Sequence, residues 1–280
     1  MTVSLVIPAR DEADTIGPIV GTILEALAKD APLLDELLVI DSDSIDDTAA
    51  VAEAAGAVVY RSKDIRPELG SHEGKGEALW KALFVTSGDL LVFVDGDLTR
   101  WGPHFVTGLL GPLLHEPRTS LVRAAYTRIR SSPDGTLTPD GGRLTELVAR
   151  PLIGLYWPEL AAVAQPLAGE WAARRSLLEQ LPIPTGYGVE LSTLVDTVAR
   201  HGLDAVAQVD LGVRAHHHRS DADMALAATE LLAVAESRRR GAAMVPQTIE
   251  LLQFPSADTD RTEPVRRPVH LAERPPAASI

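Results

Sequence analysis

The chain has 280 residues, 45% hydrophobic and 23% charged, enough for one large domain with a real core. Its formal net charge of −13 excludes nucleic acid and anionic membranes as natural partners, since both need a basic surface. With no cysteine, disulfides, thiolate catalysis and zinc–thiolate sites are excluded as well. The N-terminus lacks a basic n-region, and no stretch approaches the roughly 20 apolar residues of a membrane helix, so the expectation is a cytoplasmic protein.

Val3 to Ile7 is a short apolar run that reads as a strand stopped by Pro8. Ile16, Ile19, Ile23, Leu24 and Leu27 then recur at helical spacing between Thr15 and Lys29. Leu37 to Ile40 is a second strand, and Asp46 and Asp47 supply N-terminal carboxylates for a helix that ends at Gly56. Ala57 to Tyr60 is a third strand. Ser62 to Gly74 mixes proline, glycine and charge and reads as a mobile loop. A helix from Glu77 to Thr86 leads to a fourth strand, Leu90 to Val94. Such β-α-β repetition implies an α/β fold, a mostly parallel sheet with helices on both faces and ligands at the carboxyl ends of its strands.

The second half is less regular. Ser120 to Arg130 reads as a strand running out from the sheet, and Ser131 to Gly142 as a turn or hairpin tip. Arg143 to Leu155 and Leu191 to His201 read as helices, Ala205 to Val213 as a strand. Asp221 to Arg240 is a long Ala/Leu helix with basic residues at its C-terminus, where they suit the dipole. From Phe254 onward proline and charge dominate, predicting a tail that is disordered or wraps the body.

Chemistry concentrates at strand ends. Phe93-Val94-Asp95-Gly96-Asp97 closes an apolar strand with two carboxylates, the oxygen ligands that Mg²⁺ or Mn²⁺ prefers alongside substrate phosphates. Asp-Gly is equally common in plain surface turns, so this signal gains weight only from its neighbours. Pro8-Ala9-Arg10-Asp11-Glu12 and Asp41-Ser42-Asp43-Ser44 follow the first two strands, where a nucleoside would rest, although Glu12 and Asp41 also suit helix capping. Gly74-Lys75-Gly76-Glu77 permits close backbone approach and offers a point charge to a diphosphate, without the spacing of a P-loop.

These residues resemble the nucleotide-sugar half of GT-A glycosyltransferases. Gly141-Gly142-Arg143-Leu144-Thr145, Gln165-Pro166-Leu167-Ala168-Gly169-Glu170, Gly186-Tyr187-Gly188-Val189-Glu190 and Leu211 to His216 narrow the resemblance to the glucosyl-3-phosphoglycerate synthase family, in consistent order from Val3 to Arg219. The resemblance implies a retaining, metal-dependent transfer from a UDP- or GDP-linked sugar to a small polar acceptor. It implies Asp97 and His216 as ligands of Mg²⁺ or Mn²⁺, with Asp95 beside the ribose and metal. Pro8, Ala9, Arg10, Glu12, Ser42, Asp43 and Lys75 would form the nucleotide site. Arg128, Gly142, Arg143, Leu144, Thr145, Tyr187, Arg214 and His218 would form the acceptor side. Leu167, through its carbonyl, Asp97 and Glu190 complete the implied catalytic set, with no covalent nucleophile assumed. Residues 1–100 would be the nucleotide-sugar half, 101–220 the acceptor half of the same domain, and 221–280 a C-terminal helix and tail. Related enzymes are dimers, so a homodimer is expected.

Three positions depart from the family pattern: Arg10 stands where an apolar residue is usual, Asp43 where glycine is, and His218 where asparagine is. A carboxylate near the base can accept two N–H bonds from guanine but one from uracil, which raises a GDP-sugar alternative; Asp43 also suits a turn. His218 and the bulky Trp171 suggest a reshaped acceptor side. A specialised-metabolism relative with another acceptor, such as the sulfur of ergothioneine in lincomycin-type biosynthesis, is therefore a second reading. A nucleotidyltransferase and a binding protein without catalysis are weaker ones. Three consecutive histidines, His216 to His218, cannot all face one ion, so one ligand with two bystanders is expected.

Overall fold

Strand β1 (Val3–Ala9) alternates its side chains between two cores, with Leu5 and Ile7 in one and Val6 in the other. A strand covered on both faces must be apolar throughout, which is why it reads as a continuous run. The computed structural model describes residues 1–131, 137–139, 142–216, 220–254 and 263–280, excluding the side chains of residues 30, 130, 131, 137–139, 215 and 216. β1 continues through Pro8 rather than stopping there. Its pairing with the neighbouring β4 ends at Val6, so the proline's missing N–H breaks no bond of that ladder.

The elements follow in order: α1 (Ala13–Ile23), β2 (Glu36–Asp41), α2 (Thr48–Ala54), β3 (Val58–Arg61), α3 (Lys75–Ala82), β4 (Leu90–Phe93), β5 (Leu98–Arg100), α4 (His104–His115) and β6 (Leu121–Ser131). Then come β7 (Leu137–Pro139), α5 (Arg150–Tyr156), β8 (Trp171–Arg174), α6 (Arg175–Leu178), β9 (Ile183–Pro184), α7 (Val189–His201), β10 (Val206–His216), α8 (Asp221–Arg240), β11 (Gln247–Gln253), β12 (Val265–Leu271) and β13 (Glu273–Arg274). Nine strands form one sheet, in the order β3-β2-β1-β4-β8-β6-β10-β5, with β7 as a short antiparallel partner of β6. Parallel pairing of β3, β2, β1 and β4 places the loops after β1, β2 and β4 at one end of the sheet. β8 runs antiparallel to both β4 and β6 and joins the two halves into one mixed sheet.

One core lies under α1 and α4, where Ile16, Ile19, Ile23, Phe105 and Leu109 meet Leu5, Ile7 and Val92. The other lies under α3 and α7, where Leu79, Trp80, Leu191 and Leu194 meet Val6, Leu91 and Phe93. Trp171 belongs to this second core: it is 1% exposed, with its ring 4.3 Å from Phe93 and the Arg123 guanidinium 5.0 Å above it. The idea that Trp171 reshapes the acceptor side is thereby corrected, because alternation along β8 turns it inward.

Two further expectations change. The segment from Ser62 to Gly74, read as mobile, contains two 3-10 turns, and the buried Lys81 ammonium donates to the carbonyls of Ile65, Arg66 and Gly70. The tail wraps the body: β11 and β12 form a hairpin, β12 packs on α8, and β13 pairs with β9. Residues 255–262 of that tail lie outside the described ones.

Candidate active site

Loops at the carboxyl ends of β1 and β2 are stitched together before any ligand is considered. The Asp11 amide donates to Ser44 Oγ at 3.0 Å, the Ile45 amide to Asp11 Oδ1 at 2.8 Å, and the Glu12 amide to Thr48 Oγ1 at 2.8 Å. Asp41 accepts from the Ser44 amide at 3.3 Å and so closes its own turn. The turn through Gly96 is tied to the same place by Thr15, whose hydroxyl donates to the Gly96 carbonyl at 2.6 Å. Pro8, Ala9, Glu12, Ser42 and the Asp95–Asp97 turn therefore share one wall of a cavity of about 460 Å³.

Charge inside the cavity is organised as a chain of alternating sign. Asp95 accepts from Lys75 Nζ at 2.5 Å and from Arg214 Nη2 at 2.8 Å. Lys75 also meets Glu190 Oε1 at 2.8 Å, and Arg214 donates to the buried Glu170 at 2.8 Å and lies 3.6 Å from Asp97. Burial opposes the charge on Lys75, but Asp95 and Glu190 outweigh it and hold the ammonium above the ordinary lysine value. Burial pushes the Glu170 carboxyl up, against the pull of Arg214. Deeper still, Arg123 is fully buried, and burial lowers it to about 10 in spite of nearby Glu190. It donates to the Glu190 carbonyl at 2.6 Å and to Thr193 Oγ1 at 2.5 Å, which anchors the first turn of α7.

Glycines make this packing feasible. A Cβ on Gly169 would fall 2.0 Å from Asp95 Oδ2, so only glycine lets that carboxylate sit between its two cations. A Cβ on Gly76 would fall 1.8 Å from the Pro184 carbonyl, so α3 begins against β9 with no room to spare.

Most of the predicted site residues converge. Pro8, Ala9, Arg10, Glu12, Ser42, Lys75, Asp95 and Asp97 line the cavity together with Arg128, Gly142, Arg143, Leu144, Thr145, Leu167, Tyr187, Glu190 and Arg214. Asp43 does not line it. Its φ of 60° is left-handed backbone, which explains a glycine preference at this position, and its carboxylate lies 3.4 Å from Lys63. His216 ends β10 in register with Leu98, next to Asp97, while its side chain and the whole of His218 lie outside the described residues.

Among the described residues no three His, Asp or Glu side chains form a metal cage. Two carboxylates completed by diphosphate oxygens need no such cage, and the all-oxygen pair Asp95 and Asp97 on the cavity wall fits Mg²⁺ or Mn²⁺.

Sequence reading missed part of the lining. Glu73, Met224, Leu226, Ala227, Glu230, Pro268, Val269 and His270 also line the cavity, and the Tyr187 amide donates to Glu230 Oε2 at 2.5 Å. Glu73 beside Gly74 was the only one with a local signal. The others arrive through long-range packing of α8 and β12.

The family model for glycosyl transferase family 2 matches residues 4–158. The glucosyl-3-phosphoglycerate synthase of Mycolicibacterium smegmatis is 44% identical over 279 residues, covering 100% of this chain and 90% of that protein. The enzyme of that name from Petrotoga mobilis is 44% identical over 84% of this chain and 73% of its own length. Among solved structures, glucosyl-3-phosphoglycerate synthase from Mycobacterium tuberculosis in complex with Mn²⁺, UDP-glucose and phosphoglyceric acid superposes with a TM-score of 0.86 at 42% identity, covering 99% of this chain and 90% of that one. The Mycobacterium tuberculosis enzyme with Mg²⁺ and UDP gives a TM-score of 0.85 at 43% identity, covering 98% and 90%.

Proposed function

This chain belongs to the glucosyl-3-phosphoglycerate synthase family of GT-A glycosyltransferases, and on that premise we propose that it transfers glucose from UDP-glucose to 3-phosphoglycerate with Mn²⁺ or Mg²⁺. The observation that carries the reading is a single cavity in which Lys75 and Arg214 grip Asp95 from two sides, at 2.5 and 2.8 Å, with donor-type and acceptor-type residues around it.

In this reading Pro8, Ala9, Glu12 and Ser42 seat the uridine, Arg10 closes the rim, and Lys75 meets the donor diphosphate. Asp97 and His216 would hold the cation, with Asp95 close to both the ribose and the cation. When bound, the cation neutralises charge on the departing nucleoside diphosphate. Gly142 to Thr145 offer backbone N–H groups and the Arg143 guanidinium to the acceptor phosphate, with Arg128 beside them for its carboxylate. Tyr187, Glu190 and Arg214 surround the sugar. The Leu167 carbonyl faces developing positive charge at the anomeric carbon, and Arg128 Nη2 lies 3.4 Å from that oxygen. Neither glutamate is offered as a nucleophile: Glu170 is fully buried behind Arg214, and Glu190 pairs with Lys75. Residues 1–100 serve the donor, 101–220 the acceptor, and 221–280 supply the far wall.

A GDP-sugar donor rested on Arg10 and Asp43. Asp43 faces Lys63 and Arg10 faces Glu73 at 3.6 Å, so neither carries that alternative, and the comparisons lend it no support. A nucleotidyltransferase finds none either. A homodimer belongs to the proposal, with the exposed Leu155 and Leu232 as apolar surface for a second copy; sedimentation checks it. Among the described residues no helix is long and apolar enough to cross a membrane; a cytoplasmic location is part of the proposal. The deciding assay supplies UDP-glucose or GDP-glucose, 3-phosphoglycerate and Mn²⁺. Release of UDP that depends on the acceptor is expected, and turnover with GDP-glucose alone would overturn the donor assignment.

A further inference from the structure

The last segment of the chain lines the cavity and also packs against the start of α3. Pro268, Val269 and His270 line its wall, and a few residues later Arg274 reaches beneath the loop that carries Lys75. Arg274 is 8% exposed, and each of its three guanidinium nitrogens donates. Nε and Nη2 clasp the two oxygens of Glu77 at 2.7 and 2.6 Å, Nη1 donates to the Leu69 carbonyl at 2.8 Å, and Nη2 to the Gly70 carbonyl at 3.0 Å. Its guanidinium sits 4.8 Å from the Trp80 ring, whose Nε1 donates to the Pro275 carbonyl at 2.8 Å.

The other side of the same turn is equally tight. The Glu77 amide donates to the Thr185 carbonyl at 2.9 Å, and the Thr185 amide to the Ala272 carbonyl at 3.0 Å. A Cβ on Gly74 would meet the Thr185 carbonyl at 2.5 Å. Glu77 is fully buried in the first turn of α3, two residues after Lys75, so its carboxylate anchors the same turn from which the lysine side chain extends. Only a planar fork can hold two carboxylate oxygens and two carbonyls at once; a lysine at this position can satisfy some of them but not all.

We propose that Arg274 is a positioning residue for the donor diphosphate, acting through Glu77 and the carbonyls of Leu69 and Gly70 to set where Lys75 presents its charge. The proposal rests on the reading of Lys75 as the diphosphate contact. It makes the C-terminal strap part of donor binding, although no described contact joins the strap to an expected donor residue.

Arg238 supplies the control. Its side chain is 8% exposed and holds the same strap, meeting Glu273 at 2.6 Å and Asp196 at 2.8 Å, yet no described contact joins it to residues 62–75. The experiment compares Arg274→Lys, Glu77→Gln and Arg238→Lys in steady-state kinetics with each substrate varied in turn, UDP-glucose as donor and phosphoglycerate as acceptor. Melting temperature and backbone hydrogen exchange over residues 70–75 are measured on the same proteins. Arg274→Lys and Glu77→Gln should each raise the donor KM roughly tenfold, with kcat and the acceptor KM within about twofold. Arg238→Lys should lower the melting temperature without moving the donor KM. An unchanged donor KM in both clamp variants, or an equal rise in Arg238→Lys, overturns the proposal. Should the unaltered protein fail to turn over UDP-glucose, the functional reading falls, and exchange still decides the clamp. Faster exchange over 70–75 in Arg274→Lys but not in Arg238→Lys supports it; equal rates in both refute it.

Discussion

Arg214 donates from Nε to Oε1 of Glu170 at 2.8 Å, and the two side chains are 3% and 0% exposed. A guanidinium so far from water needs a carboxylate behind it, and the pair leaves Nη2 free to reach Asp95 at 2.8 Å. Glu170 thus acts on the cavity from below without lining it.

Glu170→Gln removes the buried negative charge and keeps the shape. It should cost about 3 kcal/mol of stability, as loss of one partner from a buried pair does, and should lower turnover because Arg214 no longer holds Asp95. Urea denaturation and initial rates check both effects. A variant with wild-type stability and rate would show that the pair is not a support for the site.

Gly169→Ala separates site geometry from fold. The new methyl would fall 2.0 Å from Asp95 Oδ2 and must displace that side chain, the movable partner, rather than the sheet. Turnover is expected to fall by on the order of 100-fold with a melting temperature within a few degrees of the parent, the scale expected when a positioned group moves by about 1 Å. Equal losses of rate and stability would place the strain in the sheet instead.

Much of this cavity was readable because half of its lining is local. Asp95-Gly96-Asp97, Gly74-Lys75-Gly76 and the loops after β1 and β2 are contiguous segments at strand ends, where the topology of an α/β sheet gathers ligands. What stayed hidden was long-range. Glu230 reaches Tyr187 from α8, and Arg274 reaches Glu77 from the tail, with no periodicity or motif at either end to announce the meeting. Trp171 misled for a related reason: its bulk was visible, but its direction depends on strand alternation in β8, which a run of small residues conceals. The tail's proline and charge left disorder and wrapping both open, because the apolar side chains that seat it, Val269 and Leu271, find their partners on α8 and beside it in Val234 and Met244.

Acid sensitivity should trace partly to Glu36, far from the cavity. Burial raises its pKa, but hydrogen bonds from Ser4 and Ser87, with a smaller contribution from the Arg175 charge, outweigh this and leave it below the ordinary value of 4.5. A depressed carboxylate contributes stability above the unfolded pKa and loses it as pH falls through the folded one. Denaturation measured from pH 7 down to pH 3 should therefore show a shallower acid limb in Glu36→Gln, which begins about 1–2 kcal/mol less stable at neutral pH. A parallel shift of the whole curve would assign the acid loss to other groups.

Nucleoside diphosphate is expected to bind in this cavity through a cation held at Asp97. Calorimetric titration of UDP into the unaltered protein and into Asp97→Ala, each with and without Mn²⁺, tests it directly. Mn²⁺ should tighten UDP binding to the unaltered protein, and Asp97→Ala should lose roughly 10–100-fold in affinity together with the dependence on the ion. If Asp97→Ala binds UDP as tightly as its parent, with the same response to Mn²⁺, the cation lies elsewhere and the account is contradicted.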